Sequence, residues 1–317
     1  ARNIRIPRMI MAVIAGAGLA LSGLLMQTLF TNPLAGQYVL GSSSVAIGEG
    51  ASAGGTYNIA IGKDSGKLSS AYSDNIFLGR NAGRGAAWIV QSGIAIGYNA
   101  MASANGGVHS IAMGTESLYQ TQFQDGHHIA LGNRAMRVSN GDNNVAIGTN
   151  SMSTIVGSNN VAVGVNSGGV FNSTRTYSDN VAIGATAGQQ NNGGANVLVG
   201  FESGKGSSGS STFTNTVAVG YQALTALTTG ASNTAVGYQA LVLNTTGSSS
   251  TAVGYSALTT NTTGDGQAFG AYALQKNTIG EHNIAIGDVP LYENLSGNFN
   301  IAIGSSALRQ NVSGNNN

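Results

Sequence analysis

One short segment resembles a site for phosphate chemistry. Residues Gly200 to Lys205 read GFESGK, and a glycine-rich loop that ends in lysine can hold phosphate oxygens with backbone amides and a positive charge. The phosphate-binding loop has four residues between its glycines and Ser or Thr after the lysine, whereas this segment has three residues and then Gly206. We therefore interpret the segment as a structural glycine followed by a turn.

Four histidines are the other candidates for chemistry. His127 and His128 are adjacent, and His109 and His282 lie apart from them in the sequence. They could hold a metal in a trimer if His128 faced the three-fold axis, but isolated histidines are more often solvated. Ser, His and Asp also occur, without the Gly-x-Ser-x-Gly turn or the paired-carboxylate spacing of hydrolases. We expect no enzyme, no catalytic residue, no cofactor and no metal site.

The composition is that of a repetitive chain. There are 48 glycines among 317 residues and only 8% of residues are charged, against about 7% glycine and 25% charge in ordinary globular proteins. The chain should nevertheless fold, because 42% of its residues are hydrophobic and its net charge is +1. The 13 basic and 12 acidic residues give no electrostatic footprint for nucleic acid, so we expect no nucleic-acid partner.

From Ser44 onward, a short apolar strand ending in glycine recurs sixteen times. Typical copies are SVAIG (44–48), NVAIG (144–148) and NIAIG (300–304). The closing glycines from Gly48 to Gly304 span 256 residues in fifteen steps, a mean near 17. A period this short predicts one coil of a solenoid, and coils stacked at roughly 4.8 Å predict a rod of about 75 Å.

Each strand is predicted to be apolar on both faces. Val145 and Ile147 lie on one face and Ala146 on the other, because side chains alternate along a strand, and Gly148 allows the bend that follows. Such a strand must be covered on both sides. We expect the valine and isoleucine side chains to fill the interior of the coil. The alanine face would then contact a symmetry-related chain.

The second half of each coil has its own repeating positions. Leu224, Leu241 and Leu258 recur every 17 residues, and Asn244 and Asn261 each begin an Asn-to-Gly turn. Stacked turns can place one asparagine above the next. We therefore predict side-chain amide hydrogen bonds along the axis.

Residues 9–30 form an uncharged apolar run, preceded by Arg2, Arg5 and Arg8. As a helix, the run could span a bilayer core of about 30 Å, with the N-terminus cytoplasmic. The alternatives are a signal peptide cleaved near residues 34–36 and a segment foreign to the working protein. We divide the chain into an N-terminal segment, residues 1–41, and a repeat domain, residues 42–317.

Several motifs cluster in the N-terminal segment: RIPR (5–8), GAGLALSG (16–23), MQ (26–27), NPLAG (32–36) and YVLG (38–41). Together they resemble the FecCD-type permeases of siderophore and vitamin B12 importers. Such a permease is a bundle of many helices, but no second stretch of 18 apolar residues follows Gly41. We therefore interpret residues 4–44 as a permease fragment joined to another gene product.

The repeats carry a second resemblance. The units NVAIG and NIAIG over residues 44–314 resemble the head of trimeric autotransporter adhesins of the YadA type, and NTAVGYQAL with NTTG spacers resembles repeats of bacteriophage tail-fibre-like proteins. The resemblance implies an all-β fold, a left-handed parallel β-roll in an intertwined homotrimer. A heptad-patterned stalk, a membrane-barrel anchor and a self-cleaving chaperone domain, found in such proteins, are not recognisable here.

These patterns predict a structural or adhesive fibre segment, outside a cell or on a phage-like particle, that binds itself as a homotrimer or longer filament and attaches to an unknown receptor or glycan. The longer repeats suggest contact loops, with Phe171, Tyr177, Lys205 and Phe213 as candidate residues. One alternative is a monomeric solenoid that binds a repetitive surface such as polysaccharide or ice. Another is a permease-derived membrane fragment, held in the membrane through residues 9–30, with the repeats as a passenger.

Overall fold

The computed structural model describes residues 44–67, 73–85, 91–103, 109–121, 126–169, 178–207 and 211–317. All regular secondary structure in these ranges is β-strand. The strands are β1 (Val45–Ile47), β2 (Ile59–Ile61), β3 (Ile76–Leu78), β4 (Ile94–Ile96), β5 (Ile111–Met113), β6 (Gln120–Thr121), β7 (Ile129–Leu131), β8 (Val138–Asn140), β9 (Val145–Ile147), β10 (Thr154–Val156), β11 (Val161–Val163), β12 (Val181–Ile183), β13 (Val197–Val199), β14 (Val217–Val219), β15 (Thr234–Val236), β16 (Thr251–Val253), β17 (Gly266–Phe269), β18 (Asn283–Ile286) and β19 (Ile301–Ile303).

Sixteen strands form one parallel sheet, in the order β1-β2-β3-β4-β5-β7-β9-β11-β12-β13-β14-β15-β16-β17-β18-β19. Each strand pairs in register with the equivalent strand of the next coil, so that Ala146 of β9 lies beside Ala162 of β11. A smaller parallel sheet, β10-β8-β6, forms on the return side of three coils. The predicted β-solenoid, with one coil for each sequence repeat, is confirmed.

The strands are oriented opposite to our prediction. The central residue of each strand in the large sheet lies inside the coil, and Ala146 is completely buried. Its neighbour Ile147 points outward and is 37% exposed. The alanine face is therefore interior, because the coil is narrow and only a small side chain fits beneath the opposite wall in most copies.

The opposite wall is formed by the second half of each coil. Leu224, Leu241 and Leu258 are completely buried there, in left-handed turns with φ between 50° and 54°. The strand-closing glycine is required where the coil bends. Gly148 has φ +131°, and a β-carbon there would lie 2.4 Å from the carbonyl oxygen of Gly164 in the next coil.

The described part of the chain contains no helix of the length and apolar character needed to cross a bilayer. Residues 9–30, predicted to be a membrane helix or a signal peptide, lie outside the described residues.

Candidate functional site

The most extensive candidate surface is the outer side of the sixteen-stranded sheet. We call it the outward face; it consists of the two residues that flank the buried central residue of each strand. None of these residues is charged, and all are apolar except Thr234, Thr251 and Gln267. More than a third of the side chain is exposed at Val45, Ile47, Ile59, Ile61, Met113, Ile129, Ile147, Ile183, Val197, Phe269, Ile286, Ile301 and Ile303.

The outward face is larger than the apolar patches of ordinary monomers. Its thirteen most exposed side chains alone present roughly 900 Å² of accessible surface, against about 300–600 Å² for the largest patch of a typical soluble monomer. The face is also continuous, because the strands that carry it are paired in register along the whole sheet. An apolar surface of this size indicates a site where another molecule or another copy of the chain binds, rather than a face that stays in contact with water.

Two internal asparagine ladders hold the coils at a fixed spacing. In the predicted ladder, Nδ2 of Asn277 donates to Oδ1 of Asn261 at 3.1 Å, and Nδ2 of Asn294 donates to Oδ1 of Asn277 at 2.8 Å. Asn244 accepts a hydrogen bond from the backbone of Gly247 at 2.9 Å, within its own turn. The predicted side-chain hydrogen bonds between asparagines of successive turns are therefore present from Asn261 onward.

The second asparagine ladder precedes the strands and was missed by the sequence analysis. Oδ1 of Asn144 accepts hydrogen bonds from the backbone N–H and from Nδ2 of Asn160, both at 3.0 Å. Asn160 binds Asn180 in the same way, and Asn180 binds Asn196. The signal was present, because asparagine stands directly before the strand in most repeats.

His128 occupies one rung of this second ladder inside the coil, so the condition for a metal site at His128, a side chain that faces an external axis, is not met. Its side chain is completely buried, and the backbone N–H of Asn144 donates to Nδ1 at 3.3 Å. Burial lowers the pKa of His128 to about 4, so the ring is neutral at physiological pH. No group of three or more metal-binding side chains is brought together within the described ranges.

The other three histidines are exposed. The rings of His109 and His127 stack at 5.2 Å in consecutive coils. Nδ1 of His282 lies 2.9 Å from Oδ1 of Asp265, and this hydrogen bond raises the pKa of His282.

The residues proposed for the contact loops have different positions. Nζ of Lys205 donates to Oε1 of Glu202 at 2.7 Å, and this hydrogen bond lowers the pKa of Glu202. Lys205 is therefore part of a local ion pair within its turn. Phe213 is completely buried and fills the interior of the coil, so its side chain is not a surface contact. Phe171 and Tyr177 lie outside the described residues.

A column of aromatic rings follows the strand-closing glycines of β13 to β17; we call it the aromatic column. Phe201 and Tyr221 stack at 5.3 Å, Tyr221 and Tyr238 at 5.2 Å, and Tyr238 and Tyr255 at 5.0 Å, with interplanar angles between 6° and 16°. Tyr272 closes the column at 5.2 Å and 68° to Tyr255. The sequence signal for this column is the recurrence of tyrosine every 17 residues from Tyr221 to Tyr272.

Comparison with known proteins gives similarity at the N-terminal end of the chain. The FecCD transport family matches residues 1–69. The hemin transport system permease protein HmuU of Yersinia pestis is 57% identical over 44 residues, which are 14% of this chain and 13% of that protein. The probable iron chelatin transport system permease protein of Helicobacter pylori is 51% identical over 45 residues, 14% of each chain. The molybdate import system permease protein MolB of Haemophilus influenzae is 42% identical over 60 residues, 19% of this chain and 16% of that protein.

These matches support the resemblance of the N-terminal segment to FecCD-type permeases. The chain spans only 13% to 16% of the length of these relatives. The family match also includes residues 44–67, which form β1, β2 and their turns in the solenoid. No solved structure matches the chain. The resemblance of the repeats to trimeric adhesins finds no support in these comparisons and stays a prediction.

Proposed function

We propose that this chain is a non-catalytic structural fibre segment whose copies associate through the outward face. The observation that carries the proposal is the continuous apolar surface formed by two outward residues of every strand in the large sheet. Complete burial of this face would remove about 900 Å² per chain from water, which a trimer would divide between two neighbours, against roughly 800 Å² per partner in a standard two-chain interface. Association would therefore remove from water the continuous apolar surface of the large sheet.

We favour a homotrimer over other assemblies. Each strand of the large sheet has three or four residues, so the outward face is roughly 10 Å wide. Three such narrow faces can meet around one axis, as the resemblance to YadA-type heads implies. The rod that results would supply reach, stiffness and several attachment points. Attachment to a receptor or glycan, outside a cell or on a phage-like particle, belongs to the same proposal.

Two other functions remain as alternatives. The outward face repeats regularly from strand to strand, so a monomeric solenoid could place it on a repetitive surface such as polysaccharide or ice. The FecCD match over residues 1–69 favours a permease-derived origin for the N-terminal segment, with the repeats as a passenger. Transport by the chain would need the many helices that its relatives have beyond the matched part.

The solution mass of the chain tests the proposal. We would measure light scattering of the full chain in a mild detergent, and subtract bound detergent by combining refractive index and absorbance. We expect three times the chain mass of 31.8 kDa. The double variant Ile147→Glu and Ile183→Glu should fall to one chain mass with an unchanged circular dichroism spectrum, because both side chains point outward.

The matched control adds the same two charges elsewhere. Thr229 and Thr246 are exposed on turns away from the outward face, so Thr229→Glu with Thr246→Glu should remain trimeric. A wild-type chain that is monomeric would overturn the fibre proposal and favour binding of an external surface. Trimers that persist in the Ile147→Glu and Ile183→Glu variant would place the interface on another face.

A further inference from the structure

The aromatic column places four phenol groups in consecutive coils. Tyr221, Tyr238 and Tyr255 stack with ring centroids 5.0 to 5.2 Å apart and planes within 6° of parallel. Tyr272 stands at 5.2 Å from Tyr255 with its ring turned by 68°. The spacing of Tyr221, Tyr238 and Tyr255 follows from the parallel pairing of β14 to β16, which fixes the backbone of these coils in register. In the next coil the register aligns Tyr255 with Ala271, so Tyr272 stands one residue further along and its ring is turned.

These phenols are open to small molecules in solution. Their exposed fractions are 43% for Tyr221, 41% for Tyr238, 48% for Tyr255 and 37% for Tyr272. The chain has no cysteine, so no thiol competes for an oxidant. Among the methionines, which could also be oxidised, Met136 and Met152 are completely buried, whereas Met113 is 42% exposed.

We propose that the aromatic column is a site of oxidative tyrosine cross-linking, in which neighbouring tyrosines form dityrosine within one chain. The oxidant is hydrogen peroxide acting through a peroxidase. It removes the hydrogen atom of each of two phenol O–H groups and is reduced to two molecules of water. The two phenoxyl radicals form a carbon–carbon bond between ring positions ortho to oxygen, and the hydrogens on those carbons move to the oxygens.

The geometry favours coupling inside the column over coupling between chains. Two radicals held 5 Å apart on a rigid sheet meet at a far higher effective concentration than two radicals in dilute solution. Rotation about the Cα–Cβ and Cβ–Cγ bonds is enough to bring the ortho carbons together, because the outer edges of the rings are in solvent. Each link would join two successive coils covalently and so oppose their separation.

Peroxidase and hydrogen peroxide applied to the full chain test the proposal. Trypsin cleaves after Lys205 and Lys276 and releases residues 206–276, a single peptide that holds all four tyrosines. An intrachain link appears as the loss of two hydrogen atoms from this peptide, together with dityrosine fluorescence. A link between chains appears instead as the doubled peptide.

Two variants with the same composition decide the position of the link. Tyr238→Phe with Tyr255→Phe leaves Tyr221 and Tyr272 three coils apart, roughly 14 Å, and should lower the dityrosine yield on the order of tenfold. Tyr221→Phe with Tyr272→Phe removes as many phenols but keeps the stacked pair Tyr238 and Tyr255, and should retain the link. Phe201 shows that phenylalanine stacks in this column, so both variants keep the fold.

Equal dityrosine yields in the two variants would overturn the proposal, as would a wild-type chain in which only the doubled peptide or no dityrosine is formed. The experiment reports on one chain, so its result does not depend on whether the fibre assembles.

Discussion

The ring of Phe77 occupies the space in which a side chain at Gly83 would lie. A β-carbon at Gly83 would be 2.5 Å from Cδ1 and from Cε1 of Phe77, and both residues face the coil interior. Leu198 and Gly204 have the same relationship, with a β-carbon at Gly204 only 2.4 Å from a methyl group of Leu198. Where the strand centre is alanine, leucine or methionine often stands six residues later, as at Leu241 after Ala235.

This pairing predicts a compensating double substitution. Phe77→Ala should destabilise the chain by about 3–5 kcal/mol through the cavity it leaves, and Gly83→Leu should destabilise it by about 1–3 kcal/mol or more through overpacking. The double variant reproduces the Ala235 and Leu241 pair, whose leucine also has a left-handed backbone. We expect its thermal midpoint, measured by circular dichroism, to return close to that of the wild type. If the stability losses of the two single variants simply add in the double variant, the two sites are not coupled.

Introducing a glutamate should have opposite effects on folding at two neighbouring residues of one strand. Ala146→Glu places a carboxylate inside the coil, where nothing solvates it, and should cost about 4 kcal/mol or more and prevent folding of the surrounding coils. Ile147→Glu places the same group on the outward face and should leave the circular dichroism spectrum intact. The comparison of the two spectra checks the orientation of the strands. A folded Ala146→Glu variant would contradict the interior position of the alanine column.

Acid should weaken the fold through His128. Its pKa is about 4 in the folded chain, against about 6.5 in an unfolded chain. Between these values the unfolded chain binds more protons, so stability decreases as the pH falls from about 6.5 to about 4, by roughly 3 kcal/mol in total. Urea unfolding at a series of pH values between 7 and 4 would measure this loss.

His128→Asn is the control for the acid effect. Asparagine occupies the equivalent position in the next coil, at Asn144, so the variant should keep the ladder and the stability at pH 7. The difference between wild type and His128→Asn should appear only below about pH 6.5. An identical pH dependence in both proteins would show that burial of His128 is not what makes the fold acid-sensitive.

The strand positions could be predicted from the sequence, but the inner and outer faces could not. The sixteen NVAIG-like units gave every strand of the large sheet, because the apolar triplet and its glycine recur together. Alternation along Val145, Ala146 and Ile147 separates two faces without saying which is interior. The small size of Ala146 could indicate either a close chain contact or a narrow coil. Only the position of the opposite wall, with Leu224 and its equivalents, decides between them.

The single polar interruption of the outward face predicts how copies align. Thr234, Thr251 and Gln267 are paired in consecutive strands β15, β16 and β17, and all three are partly exposed. If the copies lie parallel, with equivalent coils at the same height along the axis, each of these three residues contacts the same residue of the neighbouring copies. A shift along the axis, or an antiparallel arrangement, would bury the hydroxyls of Thr234 and Thr251 against Val or Ile of another copy, which offer no hydrogen bond, and this is costly. Nε2 of Gln267 already donates to the carbonyl oxygen of Ser249 at 3.2 Å within its own chain. Polar residues in an apolar interface can fix register in this way.

Disulfide trapping can measure that register, because the chain has no cysteine of its own. Val236 and Val253 are outward residues of adjacent strands β15 and β16. In a mixture of tagged Val236→Cys chains and untagged Val253→Cys chains, we expect disulfides between identical positions and few between positions 236 and 253. Adding Thr234→Val, Thr251→Val and Gln267→Ile to both chains should keep the assembly but raise the mixed disulfide severalfold, because the register is then no longer specified. If the mixed disulfide stays equally rare, the aliphatic side chains themselves set the register. If the cysteine chains form no disulfide while still assembling, the outward face is not where the copies meet.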